Sequence, residues 1–405
     1  MKKNERRDKL LLYYKHHRRD LPWRHDPSPY KVWVSEIMLQ QTRVATVIPY
    51  FIRFTEALPT VEALAGVEDD TLKKLWEGLG YYRRAGLLKA GARYIRDQLG
   101  GRLPADRETL LQIPGIGDYT AGAISSIAFG RKESAVDGNV FRVYSRLFAV
   151  REPAGTSGGK NRIRALVEKD LPDQGAGDFN QALMDFANGI CLASQPLCSQ
   201  CPLQDGCLAR KAGAVSSYPV KKSKRKTPSR AYTVFVIERE GRFLIEQRKA
   251  GGLLAGLYQF PMQEGHMTDE QALLFLPSLL GGKKNRVIRP LTPHRHVFSH
   301  VIWDLTAYYV EEKGVETGRT YMRDQTNVSR YEYETGRGAS GQSSISEQGG
   351  SGQGYDRGQG VSELGYRERL WVTREELRDR YPMGSAMRPY KDFLEVALSK
   401  DPGDG

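Results

Sequence analysis

Residues 108–130 read ETLLQIPGIGDYTAGAISSIAFG, and this stretch decides how the N-terminal half of the chain is built. It reads as a helix, a tight Pro-Gly turn, and a second helix made largely of small residues. Gly115 and Gly117 flank Ile116, so the turn carries little side-chain bulk. The backbone N–H groups of Gly115, Ile116 and Gly117 can therefore approach a phosphate closely, helped by the positive N-terminal end of the following helix. Such a contact reads no base sequence; it seats a protein on a duplex. Proline followed by Gly-x-Gly is common in loops and means little alone. Its position between two helices, at about residues 105–130, makes it a helix–hairpin–helix.

The sequence on either side has the same character. SPYKVWVSEIMLQQTRVATVIPYFIRF (28–54) sets Val34, Ile37, Met38 and Val44 at helical intervals, and DTLKKLWEGLGYYRRAGLLKAGARYIRDQLGG (70–101) is a second helical stretch broken near Gly78–Gly80. No strand-like alternation precedes residue 230. Residues 1–216 are thus predicted to be a helical domain. A basic stretch with Pro and Ser, SYPVKKSKRKTPSR (217–230), follows as a linker. From Ala231 the pattern changes to AYTVFVIEREGRFLIEQR, two β-branched and aromatic runs around a Glu-Gly turn. HVFSHVIWDLTAYYVEE (296–312) is a further strand candidate. A second, α+β domain is therefore expected over 231–398. Gly-, Ser-, Gln- and Arg-rich sequence at about 325–364 has too little apolar surface to order itself and is expected to be a disordered insertion. Residues 399–405 read as a tail.

The chain has 405 residues and a formal net charge of +13, which suits a polyanionic partner without identifying it. No apolar run reaches 18 residues, and no secretory signal is recognisable at the N-terminus. The expectation is a protein of the reducing cytoplasm, nucleoid-associated, with no membrane partner. Against that background the cysteines are informative. All four fall within GICLASQPLCSQCPLQDGC (189–207), as Cys191-x6-Cys198-x2-Cys201-x5-Cys207. Such clustering in a long chain without an export signal predicts a metal site rather than disulfides. Zinc and a [4Fe–4S] cluster both accept four thiolates. Zinc ribbons usually pair two separated knuckles, whereas one compact loop supplies every ligand here, so iron–sulfur is preferred.

Two carboxylates stand out. Glu36 lies inside the apolar run VWVSEIMLQ, where a carboxylate is costly unless bonded or functional; the plain alternative is an exposed place on an amphipathic helix. Asp137, in ESAVDGNVFRVYSR, has the setting of a helix N-cap, which would explain it structurally. Neither is decisive singly.

Together these segments resemble the endonuclease III superfamily, and within it the adenine DNA glycosylases of the MutY type. The resemblance rests on RRDLPWR (18–24), SEIMLQQTRV (35–44), WEGLGYYRRA (76–85), IPGIGDYTAGAI (113–124), VDGNVFRV (136–143), FNQALMDF (179–186), the cysteine loop and HVFSH (296–300). It implies a helix–hairpin–helix glycosylase core with a [4Fe–4S] loop, followed by an α+β Nudix-like domain. QRKAGGLLAGLYQFP (247–261) resembles the opening of that domain, but its magnesium-binding acidic box does not follow Pro261, implying recognition rather than hydrolysis.

The resemblance also implies roles. Glu36 matches the general acid that protonates the departing adenine. Asp137 matches the carboxylate that stabilises the positive sugar and, at a helix N-terminus, is expected to stay ionised, while Asn139 orients the catalytic groups. Tyr119 stands where bifunctional relatives carry a lysine nucleophile, implying a monofunctional enzyme. Arg19, Leu21 and Trp23 match the adenine-pocket wall. Gln41, Thr42, Leu79 and Tyr81 match two loops that enter the duplex, and Phe298, Ser299 and His300 match a loop that contacts 8-oxoguanine. Phe141 stands where relatives often carry a basic residue, which would weaken backbone contacts. The implied substrate is double-stranded DNA with adenine opposite 8-oxoguanine or guanine, bound by a monomer. His294 and His296 form a His-x-His, but two ligands in a loop make a poor metal site.

Overall fold

The computed structural model describes residues 1–221, 226–249, 251–281, 286–312 and 366–397. The expected insertion at 325–364 and the tail at 399–405 lie outside these residues. The chain divides into two compact units, Met1–Arg225 and Lys226–Gly405.

The first unit is helical. Its central helix, Pro29–Leu39, starts with the Ser28 side chain accepting from the Lys31 N–H and with proline in the first turn. Every residue from Val32 to Met38 is buried, so the helix turns all its faces inward. It forms one core with Phe54, Trp76, Leu88 and Ile95 from later helices. A second core gathers Val140, Tyr144 and Leu147 of the helix Gly138–Phe148, Phe179, Leu183 and Phe186 of the helix Ala176–Gly189, and Leu10 of the N-terminal helix Lys3–His17. Asp170 fastens that N-terminal helix, accepting from Arg6 Nε at 2.6 Å and from the Tyr144 hydroxyl at 2.9 Å.

The hairpin predicted from ETLLQIPGIGDYTAGAI is present. Helix Arg107–Gln112 is capped by Asp106, and helix Asp118–Ala123 begins after Gly117 and runs into a π-helical turn, Ile124–Ala128. Gly115 takes a φ of +85°, and a Cβ there would lie 2.9 Å from Leu87 Cβ, so both conformation and space demand glycine.

The second unit is built on one sheet. β1 (Ser229–Arg239) and β2 (Arg242–Arg248) form the expected hairpin, with Glu240 and Gly241 both at positive φ, as a two-residue turn requires. The remaining strands are β3 (Tyr258–Gln259), β4 (Met262–Glu264), β5 (Arg286–Val297), β6 (Ile302–Glu312) and β7 (Tyr366–Val372). Strand order is β3-β2-β1-β6-β5, with β4 joining β1 and β7 joining β2. β1 lies parallel to β6 at the centre. Alternate residues of β1 bury on opposite faces: Tyr232, Val234 and Val236 with Tyr390 and Leu394, and Phe235 and Ile237 with Ala272 and Leu276. Helices thus cover both sides.

HVFSHVIWDLTAYYVEE is not one strand as expected. The Phe298 N–H donates to Val301 O at 2.9 Å and closes a turn, so the segment is the tip of the β5–β6 hairpin plus β6. The polar Ser299-His300 pair favours a turn over a continuous strand.

Asp170→Ala would leave Arg6 and the Tyr144 hydroxyl without their shared buried acceptor. It is expected to destabilise the helical unit by about 3 kcal/mol or more, read as a drop in its melting temperature, whereas an unchanged transition would show that this anchor is dispensable.

Candidate active site and cysteine cavity

One cavity in the helical unit is lined by Arg19, Leu21, Trp23 and Arg24, by Val32, Ser35, Glu36 and Leu39, and by Val44, Ile127, Gln181 and Met184. Three predicted wall residues, Arg19, Leu21 and Trp23, therefore share a space with Glu36. Their segment is pinned by Asp185, which sequence reading did not single out. Asp185 accepts from Arg19 Nε at 2.6 Å and from Arg24 Nη1 at 2.7 Å and Nη2 at 3.1 Å. Asp185 sits inside FNQALMDF much as Glu36 sits inside VWVSEIMLQ. The signal that marked Glu36, a carboxylate within an apolar run, was present there as well.

Glu36 is 5% exposed. Its Oε2 accepts from the Tyr119 hydroxyl at 2.5 Å, and the Tyr119 hydroxyl oxygen also lies 3.8 Å from Met184 Sδ. Burial pushes the Glu36 carboxyl up to about 7; the Tyr119 hydrogen bond pulls it down, and the negative charge of Asp137 pushes it further up. Asp137 does not line the cavity, yet it also raises Tyr119, so the three groups sense one another.

Asp137 caps the helix Gly138–Phe148. Its Oδ1 accepts from the N–H groups of Asn139 at 2.9 Å and Val140 at 2.8 Å, and its Oδ2 accepts from Asn139 Nδ2 at 2.7 Å. Asp137 is expected to stay ionised at a helix N-terminus; the cap is present, and burial acts against it. Packing around a side chain that is only partly exposed pushes it upward against the three donors. Those three donors favour the charged form.

Asn139 links Asp137 to the cysteine loop. Its Oδ1 accepts from Arg142 Nη1 at 3.1 Å, and Arg142 Nε donates to Cys191 O at 3.0 Å. Arg146 donates to Leu192 O at 2.6 Å and lies 3.4 Å from Cys191 Sγ. All four cysteines are free thiols and line a second cavity with Arg146, Arg210, Leu147 and Phe186. Among the described residues no three His, Cys, Asp or Glu side chains are placed to hold a metal ion directly.

The other predicted residues divide. In the hairpin, the Ile116 N–H is already given to Ile113 O at 3.1 Å and its side chain is buried, so it is a corner of the turn rather than a free donor; Gly117 is open. Gln41 and Tyr81 are exposed and both adopt left-handed backbone, with φ of 58° and 50°. Thr42 is half-buried beside them. Leu79, matched by resemblance to a duplex-entering loop with core packing as its plain alternative, is 4% exposed and packs in the first core, where the Leu79 N–H and the Trp76 carbonyl close the loop inward. Phe141 is buried in the second core and so does not stand at a surface where a basic residue would meet a phosphate. In the second unit Phe298 packs edge-on against His296 and Trp303, while Ser299 and His300 are exposed at the hairpin tip. His296 bonds Ser385 Oγ at 3.1 Å.

Residues 34–169 match the HhH-GPD superfamily of base excision DNA repair proteins, and residues 233–334 match a NUDIX domain. The chain is 36% identical to the human adenine DNA glycosylase over 353 residues, covering 73% of this chain and 65% of the human protein. It is 35% identical to the Rattus norvegicus adenine DNA glycosylase over 372 residues, covering 78% of this chain and 72% of that protein. The chain belongs to the adenine DNA glycosylases. A solved thermostable thymine-DNA glycosylase aligns with a TM-score of 0.49 at 30% identity, covering 52% of this chain and 97% of that one. Membership makes the chain a DNA glycosylase of base excision repair with a DNA partner, and its fold is the family's helical core followed by a Nudix-like domain. No helix among the described residues is long and apolar enough to cross a membrane.

The Tyr119 hydrogen bond favours the charged form of Glu36, so its removal has a definite sign. In the free protein the Glu36 carboxyl is expected to titrate near 7, and Tyr119→Phe is expected to move that midpoint upward. Carbon-13 NMR of the glutamate carboxyls checks both; a wild-type midpoint in the ordinary glutamate range would contradict the burial effect.

Proposed function

We propose that this adenine DNA glycosylase is a monofunctional enzyme that hydrolyses the N-glycosidic bond of adenine opposite 8-oxoguanine or guanine, leaving an abasic site. The observation that carries the reading is the protonatable Glu36, held in a cavity by a neutral phenol with a second carboxyl close enough to be felt.

Excision requires the adenine nucleotide to leave the stack and enter the cavity. Glu36, protonated near neutral pH, gives its proton to the leaving base as the C–N bond breaks. Positive charge then develops on the sugar. Asp137, kept anionic by three donors and oriented by Asn139, faces that charge, and water completes the sugar carbon while losing a proton. Two carboxyls in unequal surroundings thus divide acid and stabiliser, as they do in glycosidases. Among the described residues lining the cavity there is no lysine, and Tyr119 offers no amine for a Schiff base. Leu21 and Trp23 supply an apolar wall for the base; Gln41, Thr42, Leu79 and Tyr81 are assigned to the duplex-entering loops, with Leu79 as their buried brace. Gly115 and Gly117 seat the backbone. Phe298, Ser299 and His300 are assigned to the 8-oxoguanine contact.

Cys191, Cys198, Cys201 and Cys207 would hold a [4Fe–4S] cluster. Four free cysteines lining one cavity, with Arg146 and Arg210 beside them, suit an anionic polynuclear group. Such a cluster, when bound, supplies a cross-link for residues 191–207 and a redox centre. The protein is assigned to the nucleoid-associated cytoplasm as a monomer.

A duplex panel pairing adenine with 8-oxoguanine, guanine, cytosine and thymine tests the substrate. Adenine release should be fastest opposite 8-oxoguanine, then guanine; release of thymine instead, or of nothing, would overturn the assignment. Glu36→Gln should lower the single-turnover rate roughly 10²- to 10⁴-fold while DNA binding persists. Borohydride should trap almost no protein on DNA, and efficient trapping would show a covalent, bifunctional course.

A further inference from the structure

Arg84 is 8% exposed, in the first turn of the helix Arg83–Gln98. Among the described residues its guanidinium meets no carboxylate. Nη1 donates to three carbonyls at the end of the helix that carries Glu36: Ile37 at 2.9 Å, Met38 at 2.7 Å and Gln40 at 2.6 Å. Nη2 donates to Thr42 Oγ1 at 3.1 Å and to the carbonyls of Leu79 at 3.3 Å and Gly80 at 3.0 Å. One planar fork therefore spans both loops. The partial negative charge of a helix C-terminus favours a cation at this place. The fork also lies 5.3 Å from the centroid of Trp76 and 5.5 Å from that of Tyr81, which is 46% exposed.

Both loops are strained. Gln41 and Tyr81 are non-glycine residues in left-handed backbone, a state that persists only where the surroundings over-determine it. Arg84 is the side chain that holds the neighbours of both. Its Nε is buried with no acceptor among the described residues, so the site tolerates an unsatisfied donor to keep the fork.

We propose that Arg84 is a positioning residue that locks the two duplex-entering loops to each other and to the Glu36 helix, so that the geometry of lesion reading sets the placement of the acid. This rests on the assignment of these loops to the duplex. Ile37 and Met38 directly follow Glu36, and a displacement of the 79–81 loop reaches them through a single side chain. Lysine keeps the charge but, as a point donor, cannot bridge the two sets of acceptors.

The test uses the full chain, wild type and Arg84→Lys, under single turnover with active-site titration, on adenine opposite 8-oxoguanine and opposite guanine. Hydrogen exchange is followed in parallel. In Arg84→Lys, protection should fall at residues 40–42 and 78–82 while the rest of the helical unit keeps it. Excision opposite 8-oxoguanine should fall about 10- to 100-fold, the scale of a roughly 1 Å misplacement, with a smaller fall opposite guanine, so that the preference shrinks. Unchanged exchange in the two loops, an unchanged rate ratio, or equal losses on both duplexes that track only the folded fraction would overturn the proposal. Wild-type protein that releases no adenine from either duplex would instead overturn the reading beneath it.

Discussion

The carboxyl of Glu36 sits on a helix whose every face is turned inward, and the rest of the site is arranged around that fact. Four other carboxylates in the described structure are as deeply buried: Asp170, Asp185, Glu246 and Glu312. Each of them is ion-paired with arginine, Asp170 with Arg6, Asp185 with Arg19 and Arg24, Glu246 with Arg369, and Glu312 with Arg239 and Arg286. Glu36 alone among the five has no arginine ion pair: it accepts from the Tyr119 hydroxyl, whereas Asp170 accepts from the Tyr144 hydroxyl and from Arg6 as well. A phenol favours the charged carboxyl less strongly than an arginine does. The nearby Arg24 guanidinium is bonded to Asp185, and its pull on Glu36 ranks below burial and below Tyr119. The fold therefore buries five carboxyls and leaves Glu36 the one without an arginine ion pair, with burial pushing its carboxyl up to about 7.

Asp137 is handled by opposite means. It takes three hydrogen bonds at a helix N-terminus, and its partner Asn139 is fixed by Arg142, which in turn holds the carbonyls of Ala187 and Cys191. The cysteine loop is thereby connected through side chains to Asp137. The Cys191 carbonyl of that loop helps hold Arg142, so the loop's structural contribution does not stop at residues 191–207. Arginines thus organise the site throughout, with Asp185 drawing two of them beneath the pocket wall and Arg84 joining the loops.

Local pattern made much of this readable. The Pro-Gly turn of IPGIG, the Glu240–Gly241 hairpin and the clustering of four cysteines each have a cause within a few residues, and each appears where the sequence puts it. Glu36 was ambiguous between an exposed position and a functional one; the apolar run around it did not decide, and its burial excludes the exposed position. The arginine network was not legible. Arg84 reaches back 47 residues to Ile37, and Arg24 reaches 161 residues forward to Asp185, so neither contact leaves a periodic trace. Leu79 stayed open because a leucine before Gly-Tyr-Tyr can wedge or pack, and the closed loop shows that it packs in this structure. The FSH segment misled because aromatic and β-branched residues on both sides of Ser299-His300 hide a two-residue turn.

The central claim is that excision depends on a single buried carboxyl that carries its proton up to near-neutral pH. The pH dependence of adenine release by the wild-type chain, measured under single turnover so that product release does not intervene, tests it most directly. Because the acid acts in its protonated form, activity should be full on the acidic side of about 7 and decline as pH rises through that value, with the decline governed by Glu36. A rate that holds constant from pH 6 to pH 9, or that rises with pH across that interval, would contradict the account.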